Sequence, residues 1–512
     1  MLGKVFLWNV TLKGTFDGLD KGSHNFLLVC NRWFEVASGT PDLWSFWGNR
    51  AIDWARRCHH SGTAPVDLAM GGFDYVHNQG YFDTALRSVL QDRATRDIIR
   101  RVHLNAESPE FLSSIIASLT VNCEEPRSNG MQSLILESQS ERPVDVSEFF
   151  AHYRFPKLQR LCLTNCSISS WDNLMSRTSA LTTLRLDFRD PSPVPSTSQL
   201  LSILASNPLL QNLSLVRCAA PGGGGVKSST RVQLHHLKEL LLEGDLGHIF
   251  RFLNHLDHPR NIDNLLLTLH DCDVADISQI AGPYLRNHLR LRDRRQDGLC
   301  IRASSGDPNS RYGHDIDFRA GDVGELDFSA PEWRRVDAFF GIVMLLEETL
   351  DKRAMEKAAL DLASYAPLEE VIYLHTYENP AAMEDVNARF PNLKALTFHV
   401  ISLSAALRNP NLIADREIFP SLEYILLGCV HLDRGDWSPL KTFLTCRASS
   451  GNRLDTLRIA DSAHMCQELM EDIRGMVREL KVDRPHPGCL FGVCPAEPDD
   501  ETRKFIVRYS PF

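Results

Sequence analysis

An apolar pattern, L-x-x-L-x-L, recurs along most of this 512-residue chain. In its most regular part, the first residues of successive copies are 23, 29, 27 and 25 residues apart. The eleven copies begin at Ile99, Met131, Leu158, Leu181, Leu210, Leu237, Ile262, Leu368, Leu393, Leu422 and Leu454. Strand side chains alternate between two faces, so the last two apolar residues of a copy share a face that one copy cannot bury alone. The pattern therefore predicts an α/β fold in which the copies stack side by side.

Two copies continue to a cysteine, because residues 158–166 and 210–218 both read L-x-x-L-x-L-x-x-C. This pattern and its period resemble those of the cysteine-containing leucine-rich repeats. The resemblance implies an irregular solenoid with parallel strands on its concave face and helices on its convex face. Runs such as 200–205 are suited to those helices. The alternative is a leucine-rich helical protein that matches the pattern by chance.

Proline marks the start of three copies, at Phe155–Pro156, Phe390–Pro391 and Phe419–Pro420. Proline stops the preceding element and keeps the residue before it extended. These dipeptides therefore favour separate strand units over continuous helix.

The pattern lapses between about residues 282 and 366, where we expect an irregular insertion or degenerate repeats. Alternating residues predict a strand pair at 315–318 and 324–328. The stretch 345–365 is rich in Ala, Leu, Glu and Lys, which predicts a helix.

The N-terminal segment is unusually aromatic, since five of the eight tryptophans lie in the first 54 residues. Residues 26–37 carry apolar side chains at helical spacing, and Pro41 precedes a short apolar pair, Leu43 and Trp44. A segment this short cannot build its own core. Its aromatic side chains therefore face either a partner or the rest of the chain.

Residues 29–37 read V-C-x-x-W-x-x-x-A and, with Leu43-Trp44, resemble the C-terminal half of an F-box. The L-P-x-E opening of F-boxes is absent, so we expect an F-box that is incomplete at its N-terminus. The family docks on the Skp adaptor of SCF-type ubiquitin ligases. Residues that the resemblance places on the adaptor surface are Leu2, Val5, Phe6, Leu28, Val29, Trp33, Leu43 and Trp44. The alternative is an N-terminal helical cap whose tryptophans pack inward.

Composition favours an interaction protein of the cell interior. The net charge of −10 and pI near 6.0 give no drive toward nucleic acid or an acidic membrane. Thirteen irregularly spaced cysteines in a long chain favour reduced thiols over a disulfide framework. The longest apolar run, 339–346, is too short to span a bilayer. The apolar stretch near the start of the chain is shorter than that of a signal peptide. We expect a cytoplasmic or nuclear protein without membrane contact.

The sequence contains two partial motifs, for phosphate binding and for zinc binding, and neither is complete. The glycine-rich run 222–228 has Val226 where a phosphate loop needs glycine before its lysine. Cys489 and Cys494 lack the second ligand pair of a structural zinc site. We therefore expect no catalytic residue, no metal and no cofactor. An arginine cluster at 286–295 is either a solvated edge or a site for an acidic or phosphorylated target.

These patterns predict four parts: an F-box-like segment at 1–60, a connector with a first strand-helix unit at 61–98, a repeat array at 99–480 with its insertion at about 282–366, and a C-terminal cap at 481–512.

The predicted function is that of a non-catalytic substrate receptor, which docks on the Skp adaptor of a cullin-containing ligase and holds an unknown protein target. Candidate target-binding residues lie between the repeat leucines or in the arginine cluster: Arg185, Ser214, Leu241, Leu266, Arg290, Arg292, Thr397, Leu426 and Arg458. The alternatives are a repeat scaffold with a degenerate F-box that works outside ubiquitination and, more distantly, an enzyme concealed in the insertion.

Overall fold

The structure is a computed structural model with two compact units, Met1–Leu265 and Leu266–Phe512. It describes residues 30–41, 44, 46–47, 61, 63–70, 90, 97–120, 127–128, 130–140, 142–175, 178–188, 194–218, 231–259, 262–270, 280–284, 286, 298–305, 314–322, 337–346, 361, 364, 371, 373–376, 390–399, 419–428, 438–460 and 467–482.

The first unit is built on a parallel sheet. Its described strands are β1 (Phe46–Trp47), β2 (Val66–Met70), β3 (Ile99–Ala106), β4 (Arg127–Ser128), β5 (Ser133–Ser138), β6 (Val144–Asp145), β7 (Tyr153–Arg154), β8 (Arg160–Thr164), β9 (Cys166–Ser167), β10 (Thr183–Asp187), β11 (Asn212–Val216), β12 (Val232–Gln233) and β13 (Glu239–Asp245). Eight of them pair in chain order, β1–β2–β3–β5–β8–β10–β11–β13, and every pair is parallel. The expected α/β class with parallel strands is confirmed.

Helices connect several of these strands. The described helices are α1 (Asn31–Ser38), α2 (Pro109–Thr120), α3 (Ser147–His152), α4 (Trp171–Met175), α5 (Thr197–Ala205), α6 (Leu246–Leu253), α7 (Ser438–Ser449) and α8 (Gln467–Met476). Helix α5, which the sequence predicted, begins with a capping box in which Ser196 and Gln199 satisfy each other's backbone amides. Its apolar residues are buried, so it covers one face of the sheet.

The repeat leucines lie in register across the first sheet. Leu161 is level with Leu184, which is level in turn with Leu213. All three are buried, while the residues before and after each alternate toward the opposite face. This register is fixed by burial, because a slip by one residue would turn every leucine to the other face.

A tight turn precedes the strands. The amide of Leu158 donates to the carbonyl of Phe155. The amides of Leu393 and Leu422 donate in the same way to the carbonyls of Phe390 and Phe419, respectively. All three phenylalanines are buried. The Phe-Pro dipeptides thus mark the turns before strands, but the expectation that the residue before proline is extended is wrong at Phe419, whose φ is +47°.

Asn207 holds the equivalent turn where no Phe-Pro dipeptide is present. Its buried side-chain amide donates to the carbonyl of Ile203 over 2.9 Å, and its Oδ1 accepts the amide of Leu181 over 3.1 Å. The side chain therefore joins helix α5 to the preceding repeat.

The second unit combines parallel and antiparallel pairing. Strand β14 (Leu256–Asp257) lies in the first unit, and β15 (Asn264–His270) contains the boundary between the units. The strands of the second unit are β16 (Gly298–Ser305), β17 (His314–Asp322), β18 (Asp337–Leu346), β19 (Tyr373–Thr376), β20 (Ala395–His399), β21 (Tyr424–Gly428), β22 (Thr456–Ala460) and β23 (Glu479–Val482). Strands β16, β17 and β18 form an antiparallel meander, and β16–β19–β20–β21–β22–β23 are parallel.

Two sequence predictions for this unit are corrected. The helix expected over 345–365 begins in a strand, because β18 runs to Leu346 and pairs with β17. The copy placed at Leu368 is shifted by three residues, since Leu374, rather than Val371, is level with Leu396. The strand expected at 315–318 is confirmed as part of β17, and its predicted partner at 324–328 lies outside the described residues.

We predict that stability depends on the leucines that face the helices. Leu213→Ala, at a side chain that is 1% exposed, is expected to lower the unfolding free energy by about 2–5 kcal/mol through lost burial and a residual cavity. Leu209→Ala is the matched control, because Leu209 is 52% exposed, and we expect a change within about 0.5 kcal/mol. Urea denaturation measures both, and equal effects would contradict the register.

Candidate functional site

The open face of the first sheet carries three rows of side chains, each formed by residues that are level on neighbouring strands. The first row is Asp67, Arg101, Ser133, Arg160, Thr183, Asn212 and Glu239. The central row is Ala69, His103, Ile135, Cys162, Arg185, Ser214 and Leu241. The third row is Asn105, Glu137, Thr164, Asp187, Val216 and Glu243. The face is thus mostly polar and charged, in contrast to the leucines behind it.

The acids of the third row are each matched by a base. His103 Nε2 lies 3.6 Å from Glu137 Oε2, and Arg185 Nη2 lies 3.7 Å from Asp187 Oδ2. Arg217 Nε lies 3.4 Å from Glu243 Oε1. Each acid of the third row therefore has a basic side chain nearby, at a distance longer than that of a close ion pair.

The His103 imidazole holds the pKa of Glu137 below its usual value, and the charges of Arg185 and Arg160 act in the same direction against the opposing effect of burial. Glu137 is therefore a carboxylate at neutral pH.

The first row is charged differently. Asp67 is paired twice, with Arg100 Nη2 at 3.0 Å and Arg101 Nε at 3.8 Å. Arg160 is exposed and has no carboxylate within ion-pair distance in the described part of the chain. At the far end of the row, Glu239 has a buried Oε2 that accepts no hydrogen bond from any described residue. Burial raises the pKa of Glu239, and the charge of Asp263 adds to the rise.

The corresponding face of the second unit is buried at Thr397 and Leu426 and half-buried at Arg458, which is level with Leu426. Thr397 is 2% exposed and its hydroxyl lies 3.2 Å from that of the buried Tyr373, while Leu426 is 6% exposed. The cavity beside them measures about 10 Å³, which is room for about one water molecule. The prediction that Thr397 and Leu426 face a target is therefore wrong, because both side chains are part of the packed interior.

The other predicted target residues divide into three groups. The structure brings together Arg185, Ser214 and Leu241 as consecutive members of the central row, all half-buried. Leu266 and Arg458 are half-buried in strands of the second unit. The cluster residues Arg290 and Arg292 lie outside the described residues.

Most predicted adaptor residues, namely Leu2, Val5, Phe6, Leu28, Val29 and Leu43, lie outside the described residues. Trp33 is half-buried in helix α1, next to Phe34, which is 41% exposed. Trp44 is only 4% exposed, so its indole packs on the rest of the chain. The burial of Trp44 does not fit its predicted place on an adaptor surface, and the adaptor surface as a whole stays a prediction.

Sequence reasoning missed His103, although this residue lies between two repeat residues, and it missed Glu137, Arg160 and Glu239. Apart from the arginine cluster, it selected only residues between the last two apolar residues of a copy. The period of two also turns the residues on either side of those leucines toward the same face. That rule would have found the first and third rows.

Two buried cysteines occupy equivalent positions of the repeat. The thiols of Cys166 and Cys218 lie within hydrogen-bond reach of the carbonyls of Leu136 and Leu186, respectively, on neighbouring strands. Burial raises the pKa of Cys166 to about 12 and raises that of Cys218 as well. The thiols of Cys30, Cys162, Cys166, Cys218 and Cys446 are free, and no group of metal-binding side chains occurs in the described part of the chain. These thiols are structural.

No family model matches the chain, and the search of curated proteins finds no match either. Among the helices that the structure describes, none has the length and apolar character needed to cross a bilayer. The F-box and leucine-rich-repeat resemblances therefore enter the function as proposals.

We predict selective thiol reactivity in the folded protein. Cys30 and Cys446 are exposed and are expected to react with iodoacetamide, whereas Cys166 and Cys218 stay protected because a buried thiol with a raised pKa forms little thiolate. Mass spectrometry of timed digests measures each site, and equal labelling in native and urea-unfolded protein would contradict the burial.

We predict that Glu137 contributes to acid sensitivity. Its folded pKa is lowered, so its contribution to stability is present above the unfolded value of about 4.3 and is lost as pH falls through the folded value. The stability advantage of wild type over Glu137→Gln should therefore shrink between about pH 5 and pH 3. Urea midpoints at each pH measure it, and an advantage that is constant with pH would refute the assignment.

Proposed function

We propose that this chain is a protein-binding repeat array that holds its target on the open face of the first unit. The observation that carries the proposal is the ladder of eight parallel strands in chain order, with the repeat leucines buried behind an open polar face. Stacked repeats of this kind present extended surfaces suited to binding other proteins. The solenoid architecture of leucine-rich repeats accounts for this ladder and for the thiols that follow two of its strands.

The proposal extends to a role as substrate receptor of an SCF-type ubiquitin ligase, acting in the cytoplasm or nucleus. Its support is the F-box-like pattern at 29–37, part of which is helical as α1, with Trp33 half-buried and Phe34 exposed beside it. In such a complex the chain needs no active site, because the partner enzymes transfer ubiquitin.

A repeat scaffold outside ubiquitination is the second candidate. The burial of Trp44 favours it, since that indole is unavailable to an adaptor in this structure. The two candidates share the open face of the first unit and differ only at the N-terminal segment.

We predict that the purified protein binds the Skp adaptor through helix α1. Trp33→Ala should weaken binding about tenfold or more, because large aromatic side chains dominate interface energies. Glu35→Ala, at an exposed position on the same helix and at a variable position of the F-box-like pattern, is the matched control and should bind as wild type. Calorimetric titration measures affinity, and circular dichroism confirms that each variant folds.

Failure of folded wild type to bind the adaptor would reject the receptor and leave the scaffold. Equal losses in both variants would show that the helix matters only for folding.

A further inference from the structure

Two opposite charges on the open face of the first unit have no ion-pair partner among the described residues, although Arg160 lies close enough to hydrogen-bond the Cys162 thiol. Arg160 is exposed without an ion pair in the described part of the chain, and Glu239 carries a buried oxygen that no described residue satisfies. The acids of the third row, by contrast, each have a base within 4 Å. The free charge of this face is therefore concentrated in its first row, positive at β8 and negative at β13.

An unsatisfied carboxylate oxygen is costly to bury, because it loses water without gaining a donor in the protein. The raised pKa of Glu239 reflects the same cost. A cation supplied by a bound partner would donate a charge-assisted hydrogen bond to that oxygen, which has already lost its water in the free protein. Glu239 thus favours a basic partner group over a neutral one, and Arg160 favours an acidic group.

The spacing of these charges limits what the partner can be. Arg160 and Glu239 are level in one row and three strand steps apart. Neighbouring strands lie about 4.8 Å apart, so the two positions are separated by about 14 Å. An extended peptide covers that span in about four residues at about 3.3–3.4 Å each, and residues four apart point to the same side.

The two positions between them suit a peptide backbone. Thr183 and Asn212 occupy the intervening strands, and their side chains make no hydrogen bond with any described residue. A hydroxyl and an amide can both donate to and accept from a peptide group. The row therefore offers charge at its ends and hydrogen bonding in its middle.

We propose that the first row of this face binds an extended peptide segment of the target, with an acidic side chain at Arg160 and a basic side chain, four residues away, at Glu239. The proposal rests on the proposed function, because it names the chemistry of the target on the same face. It concerns only the target and is independent of the adaptor.

The probe is an array of 15-residue peptides in a Ser/Thr/Ala/Val background, each with one aspartate and one lysine separated by one to seven positions in either order. Full-length protein should bind best at a separation of four, in one of the two orders. The affinity of the best peptide is then measured by fluorescence anisotropy.

Charge reversal tests the named residues. Arg160→Glu and Glu239→Lys should each weaken the best peptide about tenfold or more. Arg160→Glu should regain affinity for the peptide whose aspartate is replaced by lysine, a gain that misfolding cannot produce. Arg251→Glu is the matched control, because Arg251 is exposed on helix α6, and it should leave binding unchanged.

Ser214→Trp, which fills the central row, separates the two proposals. Loss of binding in this variant together with the spacing optimum and the charge compensation supports the inference. If Ser214→Trp loses peptide binding but neither the aspartate–lysine separation nor either charge reversal has an effect, the inference is overturned. The proposal that the face binds the target then still stands. Binding that is indifferent to Ser214→Trp and to both reversals overturns both.

Discussion

The in-register packing of one leucine pair per strand is the interaction on which the rest of the first unit depends. Leu161, Leu184 and Leu213 lie level with one another and are buried, so each strand completes the core of its neighbour. No strand of about five residues could bury these side chains by itself. Stability is therefore shared along the array, and a cavity in one repeat is felt by the repeats beside it.

Alternation along each strand makes the opposite face polar as a direct consequence. Residues between the leucines are turned away from the helices, so their identity is free to serve binding rather than folding. In the first unit that freedom is used for charge, with the acids of the third row paired and Arg160 and Glu239 left to a partner. In the second unit the equivalent positions Tyr373, Thr397 and Leu426 are buried. The two units are therefore suited to different tasks despite a common strand pattern.

The sequence predicted strand positions well because burial imposes a strict period. The copies from Ile99 to Leu237 all contain parallel strands, and the Phe-Pro dipeptides mark real turns. It predicted less well where burial depends on distant packing. A polar Thr397 between two repeat residues gave no sign that it would be covered, and Tyr373 was misaligned because a tyrosine fits either face of a strand. The strand β18 is rich in residues that suit helix and strand alike, so pairing with β17 decided its form.

The register across β10 and β11 is the most direct test of this account, because every row on the open face follows from it. In a protein carrying Thr183→Cys and Asn212→Cys, mild oxidation should give a disulfide between positions 183 and 212, since level neighbours on adjacent strands lie within bonding range. Thr183→Cys with Ser214→Cys places the second thiol two residues further along and should give little of that product. Peptide mass spectrometry resolves the two bridges. A dominant bridge between 183 and 214 would mean that the strands are slipped and that the rows described above do not exist.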